Sequence, residues 1–269
     1  MEIQLLGTSA AEGFPGIFCN CDTCQDARKL GGKDIRTRTS ALIDGNIKID
    51  FPPDSFLHVL RDGKPITNFE HLIITHTHHD HFYLDDLRMR TPGFATDFGN
   101  PLTIYGNQTV VNRCKEKFSS LKAYFNIVLL HAFETYEIDG SKVTPLPADH
   151  KPDEESFIYF IEKDNRACLY GHDTGMFPEE TFHWLSEQKI DVAILDCTNG
   201  LIDEKANHMN IAAIKEINSL FMEKGVFHKD SQIIATHFSH NTGLLHKDLK
   251  ALLEPNGIGV AYDGMVLTV

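Results

Sequence analysis

The sequence has no long apolar run, and this limits where the protein can act. No stretch of its 269 residues approaches the roughly 18 consecutive apolar residues that cross a bilayer. The first residues, MEIQLLGTSAAEG, also lack the basic start and long apolar core of a signal peptide. We therefore expect a cytoplasmic protein that does not enter membranes.

Positive charge is scarce as well. The chain has 25 Lys and Arg against 38 Asp and Glu, which gives a formal net charge of −13. Extended nucleic acid and anionic membranes are bound through positive fields, so this balance argues against both as partners. Small anionic substrates are not excluded, because bound metal ions can make a local pocket positive.

Linkers and repeats are absent too. There is no low-complexity tract, no fixed repeat and no Gly/Ser linker, so we predict one domain over residues 1–269. Two sheets packed back to back with helices outside, a four-layered αββα sandwich, would explain the many strands with interspersed helices. GIGVAY and MVLTV are expected to form a closing hairpin around DG. The other predicted strands are EIQLLG, TSALID, NIKIDF, HLIIT, LTIYG, NIVLL, KVTPL, SFIYFIE, RACLYG, DVAILD and SQIIAT. The predicted helices are DSFLHVLRDG, NQTVVNRCKEKF, PEETFHWLSEQ, MNIAAIKEINSLFMEKG and HKDLKALLE, and YLDDLRMR is a short amphipathic segment.

Cysteines are few, but half of them are clustered. GIFCNCDTCQ, residues 16 to 25, contains Cys19, Cys21 and Cys24. In a reducing cytosol such clusters more often bind metal or do chemistry than form disulfides. A catalytic thiol requires one activated cysteine and a base, so three thiols within six residues favour a metal clamp. Buried, inert thiols are expected at the remaining positions, Cys114, Cys168 and Cys197.

The strongest signal is ITHTHHDHF, residues 74 to 82, which places His76, His78, Asp80 and His81 directly after a predicted buried strand. A strand that ends in a tight polar loop can aim several side chains at one point from a rigid base, as a metal site requires. The alternative is a solvated polar loop, which four histidines in six residues make a poorer explanation.

Three later strand ends carry the same residue types. His150 follows KVTPLPAD, Asp173 follows RACLYGH, and His237 follows SQIIAT. Each residue alone is typical of a turn or a surface position. Together they repeat one pattern, a strand followed by a ligand type, which is expected of a site built at one edge of a sheet sandwich.

Such a ligand set predicts hydrolytic chemistry. Two divalent ions roughly 3.5 to 4 Å apart can share a water, hold it as hydroxide and draw charge from the substrate oxygen under attack. Histidine and carboxylate ligands suit Zn, Mn and Fe about equally, so the ligand type does not choose the metal.

The order HxHxDH, His, Asp, His resembles the metallo-β-lactamase superfamily of metallohydrolases over nearly the whole chain. The resemblance implies that Asp80 contributes to catalysis as well as to metal binding. It also implies that Asp50, which ends NIKID, supports a ligand histidine without binding metal itself. The implied ligands are His76, His78 and His150 for one ion, Asp80, His81 and His237 for the other, and Asp173 as the bridge.

Other segments are similar to the phosphodiesterase accessory proteins of the carbon-phosphorus lyase pathway, namely LGTSAAEGFPGIFCNCDTC, TPLPADH, GHDTG, LDCTNG, NHMNI, ATHFSH and YDGM. This resemblance implies a structural zinc loop at about residues 16–26. The implied ligands are Cys19, Cys21, Cys24 and His240, and a closed Cys3His site suits zinc. If His240 is only a surface residue, the fourth ligand must be His58, His71 or His246.

Three further histidines have more than one interpretation. His208 in ANHMNI is the implied general acid and phosphate contact, and its alternative is an ordinary exposed loop residue. His79 is expected to face outward. His172 either supports the site through its neighbour Asp173 or has no role.

One segment departs from this group. IDFPPDS, residues 49 to 55, is more similar to accessory proteins of pyrroloquinoline quinone biosynthesis. The intact HTHHDH pattern nevertheless favours a hydrolase. The predicted function is a metal-dependent phosphodiesterase for small phosphate diesters, cyclic ribose or nucleotide phosphates among them. The alternatives are an accessory protein of quinone-cofactor biosynthesis, a hydrolase of another ester class, and a zinc-organised scaffold without chemistry. Whether the protein forms a homodimer stays open.

Overall fold

Two seven-stranded sheets dominate the computed structural model, which describes residues 1–62 and 69–269. The first sheet has β1 (Glu2–Gly7), β2 (Ser40–Ile43), β3 (Ile47–Ile49), β4 (His71–Ile73), β5 (Leu102–Gly106), β6 (Phe125–Leu129) and β14 (Met265–Thr268). Their spatial order is β14-β1-β2-β3-β4-β5-β6. The strands from β3 to β6 pair in parallel, and the others pair antiparallel.

The second sheet mirrors this arrangement. It has β7 (Tyr136–Ile138), β8 (Ser141–Pro147), β9 (Phe157–Lys163), β10 (Arg166–Gly171), β11 (Val192–Asp196), β12 (Gln232–Thr236) and β13 (Ile258–Val260). The order is β13-β12-β11-β10-β9-β8-β7, with parallel pairing from β10 to β13. In each sheet the carboxyl ends of the parallel strands therefore lie at one edge.

Two of the described helices begin at asparagine caps. The helices are α1 (Asp22–Leu30), α2 (Ser55–Asp62), α3 (Leu84–Leu87), α4 (Gln108–Lys117), α5 (Glu179–Ser186), α6 (Ile211–Glu223) and α7 (His246–Leu253). Asn107 and Asn210 cap α4 and α6, because their side chains accept hydrogen bonds from the amides three residues further on. Gly63, the predicted end of α2, lies outside the described residues. Within the described ranges, no helix is both long and apolar enough to cross a membrane.

The main core lies between the sheets. Ile47 and Ile49 of β3 and Tyr159 of β9 are fully or almost fully buried in it. On the outer face of the first sheet, Val110 and Cys114 of α4 pack into a second apolar cluster with residues of β4 and β5. The predicted αββα sandwich is confirmed.

Some elements differ from the sequence prediction. The closing hairpin was wrong, because β13 joins the second sheet beside β12 while β14 joins the first sheet beside β1. Asp263 explains the crossing, since its carboxylate accepts hydrogen bonds from Thr8 and Thr37 of the first half of the chain. β7 and α1 are not among the predicted elements, and α1 occupies part of the predicted zinc loop.

Candidate metal centre

The first group of predicted ligands combines three histidines with Asp173. His76 and His78 follow β4, His150 follows β8, and all four donor atoms lie within 4.8 Å of one another. Nδ1 of His78 lies 2.9 Å from Nε2 of His76 and 3.0 Å from Nε2 of His150. A cation placed among the three nitrogens would bind all of them at once, whereas one proton can join only two.

The second group contains Asp80, His81 and His237, again with Asp173. Nε2 of His81 lies 2.9 Å from Oδ2 of Asp80 and 2.8 Å from Oδ2 of Asp173. Asp173 belongs to both groups, because its Oδ2 also lies 3.2 Å from Nε2 of His76. The structure thus places Asp173 between the two groups, in the position that the sequence predicts for a bridging ligand.

The residues present fit a pair of divalent cations. Nε2 of His81, Oδ1 of Asp173 and Nε2 of His237 are buried, and their close contacts with neighbouring charged groups lack hydrogen-bond geometry among the described residues. Buried polar atoms normally have a hydrogen-bond partner, so these three are available as metal donors. Imidazole nitrogens and carboxylate oxygens are the ligands that Zn, Mn and Fe accept.

Unusual backbone geometry occurs at the sheet edge that carries the predicted ligands. Asp50, Asp173 and His237 adopt left-handed φ angles of 57°, 55° and 59°. Residues other than glycine seldom adopt this conformation, which costs of the order of 1 kcal/mol or more at each position. It turns the chain sharply where β3, β10 and β12 end, and the sharp turns direct these side chains toward the site.

Partners on the outer ring nitrogens orient four of the ligand histidines, as is usual at metal sites. Each ring is held through Nδ1, which leaves Nε2 facing the centre. The Nδ1 partners are Oγ1 of Thr75 for His76 at 3.0 Å, Oδ2 of Asp50 for His81 at 2.8 Å, the carbonyl oxygen of Asn207 for His150 at 3.1 Å, and Oγ1 of Thr198 for His237 at 2.7 Å.

Asp50 lies behind the predicted ligands. Its carboxylate accepts hydrogen bonds from the amide and hydroxyl of Thr75 and contacts His81 and His172. Burial alone would raise the pKa of Asp50, but the His81 and His172 imidazoles outweigh burial and hold that pKa below its usual value. Asp50 is therefore a charged anchor for the His81 ring.

Asp196, which sequence reasoning missed, organises the other side of the site. Its Oδ1 accepts hydrogen bonds from the amides of Thr198 and Met209, and its Oδ2 accepts one from the amide of Asp173. Oδ2 also accepts from Nδ1 of His208 at 3.1 Å. The available signal was weak: Asp196 ends a buried strand, DVAILD, much as Asp50 follows NIKI.

His208 lies next to Asp173 in the same cavity. Its Nδ1 is 3.1 Å from Oδ1 of Asp173 and is hydrogen-bonded to Asp196. Burial would lower the pKa of His208, but the two carboxylates outweigh it and raise the pKa to about 9. For His237, burial dominates and lowers the pKa to about 4. The cavity that these residues line has a volume of about 340 Å³.

The cysteine cluster forms a separate site. The sulfur atoms of Cys19, Cys21 and Cys24 and a ring nitrogen of His240 all lie within 4.8 Å of one another. A hydrogen bond from the backbone N–H of Cys24 is the largest cause of the lowered pKa of Cys21, which is about 6. A Cβ on Gly16 would lie 2.8 Å from Nε2 of His240, so only glycine leaves room for this histidine. The donor set and the closed geometry fit zinc.

The remaining histidines have partners elsewhere or face solvent. His79 is exposed, and His172 is buried behind Asp50. The three alternative zinc ligands are occupied by other contacts: His58 with Thr37, His71 with Tyr105, and His246 with Arg36.

Comparisons with known proteins agree with this architecture. A solved structure described as a new diphosphatase from the PhnP family is 26% identical, has a TM-score of 0.79 and aligns over 100% of this chain and 97% of its own. The Zn²⁺-bound PqqB from Methylobacterium extorquens is 18% identical, with a TM-score of 0.78 and complete coverage of both chains. Coenzyme PQQ synthesis protein B of Acinetobacter baumannii (strain AB0057) is 24% identical over 306 residues, covering 98% of this chain and 99% of the relative.

The family follows from the residues that carry the site. The model of the beta-lactamase superfamily domain matches residues 46–243, which include all seven predicted catalytic metal ligands. The chain therefore belongs to the β-lactamase superfamily and is a metallo-β-lactamase-fold metallohydrolase.

Proposed function

We propose that this protein is a metal-dependent phosphodiesterase that hydrolyses small phosphate diesters, cyclic ribose or nucleotide phosphates among them. The observation that supports this most directly is the position of His208, whose ring lies beside Asp173 and lines the same cavity as the ligands. A proton donor next to a predicted bridging ligand can protonate the leaving oxygen of a phosphate ester and so speed its cleavage.

The metals would be held by the two groups that share Asp173. A bound divalent pair supplies activation of water and neutralisation of the phosphate charge. Zn and Mn are the proposed occupants, with Fe as a further candidate, and the Cys3His site is proposed for one structural zinc. The description of the M. extorquens PqqB as Zn²⁺-bound supports zinc in this fold.

The protein's own residues supply orientation and a proton. Asp196 holds Nδ1 of His208, and the other ring nitrogen has no partner among the described residues. That nitrogen can contact a phosphate oxygen or donate a proton to the leaving alkoxide. Asp80, whose Oδ2 lies 2.9 Å from Nε2 of His81, would serve as a metal ligand at the wall of the substrate cavity.

The cavity size supports a small substrate. A volume of about 340 Å³ lies at the lower end of the range typical of small-molecule sites. A cyclic nucleotide or ribose phosphate could place its phosphate against the ligands and its sugar against the opposite wall.

Hydrolysis of bis(p-nitrophenyl) phosphate by the Mn- or Zn-loaded protein tests the proposal. His76→Ala and Asp173→Ala should each nearly abolish turnover, because each removes a side chain from the ligand groups. His79→Ala is the matched control, since His79 lies in the same loop but is exposed. Full activity of either ligand variant would refute the proposal.

A second candidate is an accessory protein of quinone-cofactor biosynthesis. The A. baumannii relatives named coenzyme PQQ synthesis protein B align with 98% of this chain, which favours this candidate. It predicts bound iron, oxygen consumption with a quinone precursor and little esterase activity. Metal analysis of the isolated protein and an oxygen electrode distinguish the two candidates, and ester and thioester panels test other hydrolase classes.

A further inference from the structure

Apart from the predicted ligands and His208, the described part of the cavity wall carries an acidic side chain and no lysine or arginine. It contains Ala10, Ala11, Glu12, Asn199, Ile202 and Asn241. Among the described residues that line the cavity, the carboxylates are those of the predicted ligands Asp80 and Asp173 and that of Glu12.

The Glu12 carboxylate is held on one oxygen. Ser239, in the loop that follows β12, donates its hydroxyl hydrogen to Oε1 of Glu12. No described residue donates to the other oxygen, Oε2, and the side chain is 31% exposed. Glu12 therefore offers the cavity a fixed acceptor with free lone pairs.

The neighbouring cationic groups do not neutralise this carboxylate. Arg38 contacts the same wall, but its guanidinium donates to the carbonyl oxygen of Ala11 at 2.8 Å and to Asp54 at 3.1 Å. Nε2 of His240 lies 3.9 Å from Oε1 of Glu12, which is too far for a hydrogen bond. Among the described residues, the Glu12 carboxylate thus has no cationic group within hydrogen-bonding distance.

This wall is suited to a neutral, hydroxylated group. An ionised carboxylate only accepts hydrogen bonds, so its natural ligand partners are hydroxyl groups such as those of a sugar. Asn241 adds a side-chain amide, and Ile202, which is 48% exposed, adds an apolar surface beside it. A second phosphate at this place would meet a like charge without any lysine or arginine to compensate.

We propose that Glu12 determines substrate specificity: it binds the free hydroxyls of a ribosyl group on the scissile phosphate and disfavours substrates that carry another phosphate there. The proposal rests on the phosphodiesterase function above and narrows its substrate class to diesters whose sugar is otherwise unphosphorylated.

Three substrates test the role of Glu12: bis(p-nitrophenyl) phosphate, which has no hydroxyl, adenosine 2′,3′-cyclic phosphate, and its 5′-phosphorylated form. Glu12→Ala should lower kcat/KM for adenosine 2′,3′-cyclic phosphate about 10- to 100-fold, because a charge-assisted hydrogen bond is lost. It should leave bis(p-nitrophenyl) phosphate within about twofold. Glu12→Gln should reduce the wild-type preference for the unphosphorylated form at least about tenfold. Glu223→Gln, an exposed position, is the charge-matched control.

Binding and stability provide readouts independent of turnover. Calorimetric binding of adenosine 3′-monophosphate should weaken about tenfold in Glu12→Ala. Zinc content and melting temperature should match those of the wild type. An equal loss on all three substrates, or a loss of zinc and stability, would overturn the proposal, because Glu12 would then act through His240 and the cysteine site. If the wild type cleaves none of the three, the phosphodiesterase function fails and this proposal fails with it.

Discussion

Replacing Cys21 by serine should lower the stability of the fold, because a zinc ion at the cysteine site would join two distant parts of the chain. Cys21 and His240 are 219 residues apart in sequence, yet Sγ and Nδ1 lie 3.9 Å from each other. On the loop-closure model used for disulfides, a crosslink of this length contributes about 5 kcal/mol. Zinc that stays bound to thiols of the unfolded chain reduces this contribution. We expect a loss of about 3 kcal/mol, equivalent to a fall in melting temperature of the order of 10 °C.

The assay combines thermal unfolding, followed by circular dichroism, with the zinc content per chain. Asn20→Ala is the control, because Asn20 is exposed and lies between two of the cysteines. Turnover measured well below the transition should change less than stability, since the cysteine site contributes no side chain to the catalytic ligand groups. Chelation of the zinc should shift the wild type toward the variant.

Two results would refute this reasoning. An unchanged melting temperature with unchanged zinc content would show that Cys21 does not bind zinc. Loss of zinc with an unchanged melting temperature would show that the crosslink does not stabilise the fold.

Three other variants probe separate parts of the structure. Gly16→Ala should lower zinc content and melting temperature, because its Cβ would lie 2.8 Å from Nε2 of His240, and normal values for both would contradict this geometry. Asp196→Asn should lower kcat for bis(p-nitrophenyl) phosphate about 10- to 100-fold by releasing His208, and an unchanged kcat would exclude this positioning role. Burial lowers the pKa of Lys48 from 10.5 to about 7, although the charges of Asp50 and Asp62 oppose this shift. Between pH 7 and 10.5 the unfolded chain therefore binds a proton at Lys48 that the folded chain does not bind. Stability relative to Lys48→Met should therefore rise by up to a few kcal/mol across this window, measured by urea unfolding at several pH values, and a flat difference would rule out the shift.

The gathering of the seven predicted ligands could be anticipated from the sequence. Parallel strands end at one edge of a sheet, so Asp173 and His237, which follow β10 and β12, are expected near each other. For His150, which follows the antiparallel strand β8, the signal was the repeated pattern of a strand followed by a ligand type. In the structure, His76 and His237 each belong to a donor group that also contains Asp173. Their roles as ligands stay a prediction until metal is measured.

The roles of Asp196 and Glu12 could not be anticipated, because they depend on contacts between distant segments. Asp196 binds the amides of residues 173, 198 and 209, and Glu12 is held by Ser239. A single acid at a strand end or in a loop has no distinguishing pattern. The hairpin was wrong for a related reason: DG flanked by strands favours a local turn, whereas Asp263 is held by Thr8 and Thr37.

The wide spacing of the ligands along the chain has a consequence for how the protein matures. The HTHHDH loop lies in the first third of the sequence, but its partners in the donor groups include Asp173 and His237. Cys21 likewise shares its donor group with the distant His240. During synthesis, the group of Asp80, His81 and Asp173 lacks His237 until that residue has been made, and the cysteine site lacks His240 until later still. Metal loading of these two groups should therefore come late in biogenesis, and a nascent chain stopped before residue 237 should present Asp80 and His81 without His237.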